Sequence, residues 1–438
     1  MSVLPGVVVW QLDMQLDKNR ISPGSKNWIL FFFHLRQQGE LNIGFKFKSH
    51  SLDECMHYIF NQTGLLYGHP VSNLYCPEKY VSHLTSDEKL KLLLFENLFF
   101  TYNYFNKNNK ESHDDFIDAL LSFYENYAQG ISSWDFNFDQ KKINKIEKII
   151  NERIKIKSKI SDGHYWLNQS SNGLVFVDVL LFAIHLEKDG FNPKPTHENI
   201  VSNVLLYMTK SAQVDGFIED KEMRLLMYLL QSSNLEDSRR KQLEAFIKNT
   251  FEDNFTLGTP SKLLHRKFIF ELCIFLNYGT HQVKPAEDQK LKSIGKQLGL
   301  TNEEIEEASL FSRTFIFKNR SKLSIINQEK SLSIFYKNIQ NKWSRILGRN
   351  KEKLFSELKE SKEFMDLVSK STLRELSSEE KEQMRKQFYD ILKTMPSLAI
   401  FMLPGGAVLL PMITKLFPDL LPSSFQENTF DDDEEKAK

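Results

Sequence analysis

The chain has 438 residues, more than one hydrophobic core usually serves, so two or three domains are expected. Lys plus Arg number 57 and so do Asp plus Glu, which excludes a globally basic coat for nucleic acid but leaves room for opposed local patches. The three cysteines, Cys55, Cys76 and Cys273, are too few and too scattered for a disulfide framework or a zinc site, and fit a reducing compartment.

The first residues include an apolar stretch but no basic n-region, and Asp13 follows at once. Neither a secretory signal nor a transit peptide is expected, and a bacterial cytoplasmic origin for the bulk of the chain fits best. Aromatics crowd Trp28 to Leu35 and Leu90 to Phe105. That is more apolar surface than one solvated helix face needs, so buried packing is expected in this N-terminal helical region, residues 1–130.

Helix starts are marked four times by a hydroxyl three residues before a glutamate: Ser51 and Glu54, Thr85 and Glu88, Thr301 and Glu304, Ser377 and Glu380. At that spacing the hydroxyl accepts from a first-turn amide while the carboxylate reaches back to the cap amide. Strand-like alternation is confined to short pieces such as Leu41 to Phe47. The fold class expected is therefore all-α and multi-domain. Residues 131–162 read as a charged connector.

In residues 163–311, Val201, Val204, Leu205 and Met208 form one helix face, and Met223, Leu226, Met227 and Leu230 form another. Between them lies an acidic turn, Asp215-Gly216-Phe217-Ile218 followed by Glu219-Asp220-Lys221-Glu222. This turn resembles the tellurite-resistance TerB-like domain, a helical bundle of two similar halves. Thr280-His281-Gln282-Val283 stands where the second half would repeat the acidic turn, with Glu287 keeping the distal acid. The resemblance implies Asp215, Asp220 and Glu222 as acids facing a possible divalent cation, since hard cations want converging oxygens. The residues read by themselves favour a turn, an inward Ile218 and a dipole-complementing helix start, with no certain cofactor.

From Arg313 to Lys353 eleven Lys or Arg stand against Glu329 and Glu352 alone, interleaved with Phe315, Phe317, Phe335, Tyr336 and Trp343. This basic amphipathic stretch, residues 312–360, could contact RNA phosphates or anionic headgroups, through Lys342, Arg345, Arg349, Lys351 and Lys353. A solvated face paired with acids elsewhere in the fold is the alternative.

No charge interrupts Thr394 to Thr414. As one helix those residues would run about 31 Å, close to the hydrocarbon thickness of a bilayer. Pro404, Gly405, Gly406 and Pro411 would break or kink it, so a membrane-type helix and a buried hairpin both remain open. The apolar run, with Leu376-Ser377-Ser378-Glu379-Glu380-Lys381 before it and Leu416-Phe417-Pro418-Asp419-Leu420-Leu421-Pro422-Ser423-Ser424-Phe425 after it, resembles the leucine-zipper/EF-hand transmembrane (Letm) family. Ser361-Lys362-Glu363-Phe364-Met365 and Leu403-Pro404-Gly405-Gly406 are similar to bacterial, biofilm-associated Letm-related proteins.

The resemblance covers residues 361–430, and an acidic tail, residues 431–438, follows. Its motif positions here are Pro404, Gly405, Gly406, Pro411, Phe417, Pro418, Leu421, Pro422 and Phe425. It implies a membrane-associated protein of the bacterial inner membrane with a ribosome or anionic lipids as partner. Ala407 stands where cation-exchanging relatives carry an intramembrane glutamate, so exchange ranks last. No catalytic motif, phosphate loop or dinucleotide fingerprint is present, so neither an enzyme nor a small-molecule substrate is expected. A cytosolic TerB-like interaction or metal-sensing module is the alternative.

Overall fold

The computed structural model describes residues 21–42, 51–106, 113–127, 139–155, 173–213, 218–248, 258–280, 285–319, 348–349, 351–374 and 376–393. All regular elements among these residues are helical, as the sequence predicts. The N-terminal helices are α1 Trp28–Gln37, α2 Leu52–Thr63, α3 Glu78–Val81, α4 Ser86–Phe105, α5 His113–Tyr127 and α6 Asp139–Ile154. A 3-10 turn, Leu65–Tyr67, follows α2.

The local signals do what their chemistry dictates. All four hydroxyl and glutamate pairs close reciprocal caps: Glu54 and Glu88 on α2 and α4, Glu304 on α13 and Glu380 on α16, the last two helices being Asn302–Lys318 and Ser378–Lys393. Gly64 ends α2 in the left-handed region at φ 82°, where its carbonyl accepts from the amides of Tyr67 and His69. A Cβ at this position would stand 2.0 Å from the His69 carbonyl oxygen, so only glycine fits.

The aromatic run is core. Trp28 and Phe32 meet Phe95 edge-on at 5.2 Å, and Phe99 meets Phe116 at the same separation. Full burial of such a ring stabilises by about 2–3 kcal/mol, which is why this region needs no sheet to close it. Inside the stretch expected to be a charged connector, α6 is amphipathic and buries Ile143, Ile146, Ile150 and Ile154 at three- and four-residue spacing.

The central helices are α7 Phe176–Glu187, α8 Pro193–Ala212, α9 Asp220–Ser232, α10 Asp237–Lys248, α11 Leu263–Thr280, α12 Pro285–Gln297 and α13. Helix α11 is the axis of this bundle, packing on α8 and α13 most extensively and also on α9 and α12. The predicted faces are inward: Val201, Val204, Leu205, Met208, Leu226 and Leu230 are inaccessible, with Met223 and Met227 packed against the core. Helices α2 and α4 lie on α11, α13 and α7, so the hydrophobic core is continuous across residue 162. The boundary drawn at residue 311 falls inside α13.

Three further helices, α14 Lys351–Glu360, α15 Lys362–Leu373 and α16, pack on one another near the C-terminus. No helix among the described residues is long and apolar enough to cross a membrane. The stretch from Thr394 to Thr414 lies outside them.

Candidate functional site: the C-terminal helical unit

Helices α14 to α16 form a small unit around Leu354, Leu358, Phe364, Leu367, Val368, Met384, Phe388 and Ile391. In α16 the buried positions 384, 388 and 391 follow the helical repeat, and Phe388 faces Phe364 with ring centroids 6.3 Å apart. The turn into α16 is built on one carboxylate. Glu380 accepts from the Arg374 guanidinium at 2.8 and 2.6 Å and from the Ser377 amide at 3.0 Å, while the Ser377 hydroxyl accepts from the Glu380 amide at 3.2 Å. Those bonds, Arg374 foremost, hold the Glu380 carboxyl down to about 2.

Just before the turn, Leu373 is 83% exposed. Around it the surface of the unit carries both signs, Lys351, Lys353, Lys359 and Lys362 against Glu352, Glu360, Glu363 and Asp366. Of the cations upstream, Arg313 pairs with Asp288 and Arg349 reaches Glu303 at 3.5 Å, so part of the basic stretch serves the fold. Lys351 and Lys353 are exposed on α14, and Lys342 and Arg345 lie outside the described residues.

The acids of the central turn divide similarly. Asp215 lies outside the described residues, Asp220 is exposed in the first turn of α9, and Glu222 is 1% exposed with its carboxylate accepting from the Glu219 amide at 3.2 Å. Ile218 packs against the core. Among the described residues no three His, Cys, Asp or Glu side chains are grouped to hold a metal ion. The motif residues Pro404, Gly405, Gly406, Pro411, Phe417, Pro418, Leu421, Pro422 and Phe425 also lie outside.

Two buried polar clusters have no counterpart in the sequence reading. In the first, Glu271 on α11 meets His57 Nε2 at 2.6 Å and accepts from Asn61 Nδ2 at 2.9 Å, and the Tyr67 hydroxyl donates to Asn61 Oδ1 at 2.7 Å. In the second, Asp178 on α7 accepts from Arg153 Nε at 2.7 Å and Nη2 at 2.5 Å, and from the hydroxyls of Tyr124 and Tyr127 at 3.1 Å each. The pairs that close them across helices, His57 with Glu271 and Arg153 with Asp178, lie 214 and 25 residues apart, so no local pattern marks them.

All regular elements among the described residues are helical, and α14 to α16 are the most C-terminal of them. Residues 376–438 match the family model described as LETM1-like, RBD, so a LETM1-like ribosome-binding domain stands at the C-terminus, supporting a Letm-related protein. The match opens at Leu376, on the capped turn, and takes α16 as its first helix. It covers about a seventh of the chain. Comparison with curated proteins and with solved structures gives no match.

Proposed function

We propose that the protein is a non-enzymatic, Letm-like factor that binds the ribosome from the bacterial inner membrane, with the bulk of the chain in the cytoplasm. The observation that carries this reading is the ribosome-binding domain beginning at Leu376. The membrane part rests on the uncharged run from Thr394 to Thr414, whose length suits a bilayer. In this reading, cations of the basic stretch that are not used inside the fold contact rRNA phosphates. Scaffolding by the helical bundle accompanies the binding role in this account.

Fractionation with sedimentation tests both parts. The full chain should pellet with membranes, resist carbonate extraction, and co-sediment with ribosomes solubilised from them. Recovery in the carbonate supernatant removes the anchor, and ribosomes free of the chain remove the partner.

A second reading, a TerB-like interaction or divalent-metal-sensing module, is favoured by one feature. Glu222 and Glu287 are both buried and occupy the third position of α9 and α12. Asp215→Asn with Glu222→Gln should then abolish a calorimetric signal for a divalent cation. Absence of any signal from the unmutated chain contradicts this reading.

A further inference from the structure

The basic stretch meets acids of the central bundle near both of its ends. At its start Arg313 pairs with Asp288, and toward its end Arg349 Nη1 stands 3.5 Å from Glu303 Oε1. Glu303 is in the first turn of α13, whereas the chain leaves that helix at Asn319. Between the two points the chain therefore returns the length of α13, about 26 Å for its 17 residues.

The contact at Glu303 is made by a side chain reaching across. A Cβ at Gly348 would meet nothing within 4 Å among the described residues, so the backbone beside Arg349 stands off the bundle. Both side chains face water, Arg349 at 34% and Glu303 at 73% exposure. The nearby acids serve other partners: Glu304 accepts from the Thr301 amide at 2.8 Å, and Glu307 accepts from Lys267 Nζ at 2.9 Å. Burial alone would raise the Glu307 carboxyl, but Lys267 and then His57, with Arg349 adding to them, hold it below its ordinary value. Arg349 thus lies in the field of two carboxylates four residues apart on one helix face.

A phosphodiester offers a guanidinium the same two-oxygen fork as a carboxylate, so the two compete for it. We propose, resting on the ribosome-binding reading, that Glu303 is an intramolecular competitor: it occupies Arg349 in the free protein, and an rRNA phosphate must displace it. An exposed pair of this kind weakens binding by no more than about fivefold. It acts as a threshold, which a partner engaging several cations at once overcomes and a single phosphate contact does not.

Co-sedimentation of the full chain with ribosomes at low salt tests this. Glu303→Gln is expected to bind about two- to fivefold tighter than the unmutated chain, and the gain should fade as salt screens exposed charges. In the Arg349→Gln background, Glu303→Gln should change nothing. If Glu303→Gln does not fold, Glu303→Asp takes its place, since it keeps the first-turn charge but draws it back by one methylene, and it should also tighten binding. Equal binding by the variant overturns the proposal, and so does a gain that persists without Arg349, which marks a general loss of negative charge. Ribosomes left unbound by the unmutated chain overturn the ribosome-binding reading as well, whereas binding without a gain removes only the role of Glu303.

Discussion

Glu271 on α11 and His57 on α2 meet at 2.6 Å in a place closed to solvent on the carboxylate side, although 214 residues separate them. The contact joins the N-terminal helices to the central bundle. With Asn61 and Tyr67 completing the network, the two regions share a buried polar group as well as a hydrophobic core. Removing one partner of such a group leaves the other desolvated, so Glu271→Ala or His57→Ala should cost about 3–5 kcal/mol. Urea unfolding followed by two probes, one in each region, should show both transitions moving together. A shift confined to one probe contradicts the shared core.

Gly64→Ala places a methyl against the His69 carbonyl and forces an alanine into the left-handed region. The conformational term alone is about 1–2 kcal/mol, and the clash adds to it. Gly190, also at positive φ, has nothing within 4 Å of a Cβ and should cost only the conformational term on the same substitution. Thermal midpoints of the two variants check the ordering.

Asp288 supplies a pH-dependent term. Burial by itself would raise its carboxyl, but hydrogen bonding from Lys292 and the charge of Arg313 outweigh it and hold it at about 2. The folded value lies below the unfolded one, so the stabilisation is present above the unfolded value near 3.8 and is lost as pH falls through about 2. Asp288→Asn should cost about 2 kcal/mol at neutral pH and less than about half of that at pH 2.5. Denaturation of both chains at pH 7 and pH 2.5 measures the difference.

His113 and His265 are pushed down to about 4, in each case by burial first, with Arg36 or Lys262 adding to it. Their folded values lie below the unfolded value, so the stability they confer is present above about 6.5 and is lost as pH falls toward 4. His265→Gln should flatten the loss of stability between pH 6.5 and pH 4.5. An unchanged slope contradicts a neutral buried His265.

What was legible in the sequence was local. The caps at Ser51, Thr85, Thr301 and Ser377 depend on residues three apart, and the faces of α8 and α9 on residues within two turns. Charge density misled where it masked periodicity, because α6 carries Lys and Glu on one side and isoleucines on the other. Long-range pairs were not legible: Glu147 caps α1 through the amides of Asn27 and Ile29 from 120 and 118 residues away. Nor can a count of cations say which are spent internally, as Arg313 is on Asp288.

The most direct test of ribosome binding uses the cations of the basic stretch. Each phosphate contact contributes a slope of about −0.7 to −0.9 to the logarithm of binding against that of salt, whereas an exposed pair such as Arg349 with Glu303 adds only ~0–1 kcal/mol to the fold. Changing Lys342, Arg345, Arg349, Lys351 and Lys353 to Gln, and measuring co-sedimentation with ribosomes across salt concentrations, separates the two roles. The account predicts weaker binding with a flatter salt dependence and a nearly unchanged thermal midpoint. Ribosome binding with the original slope, or loss of the fold, would contradict it.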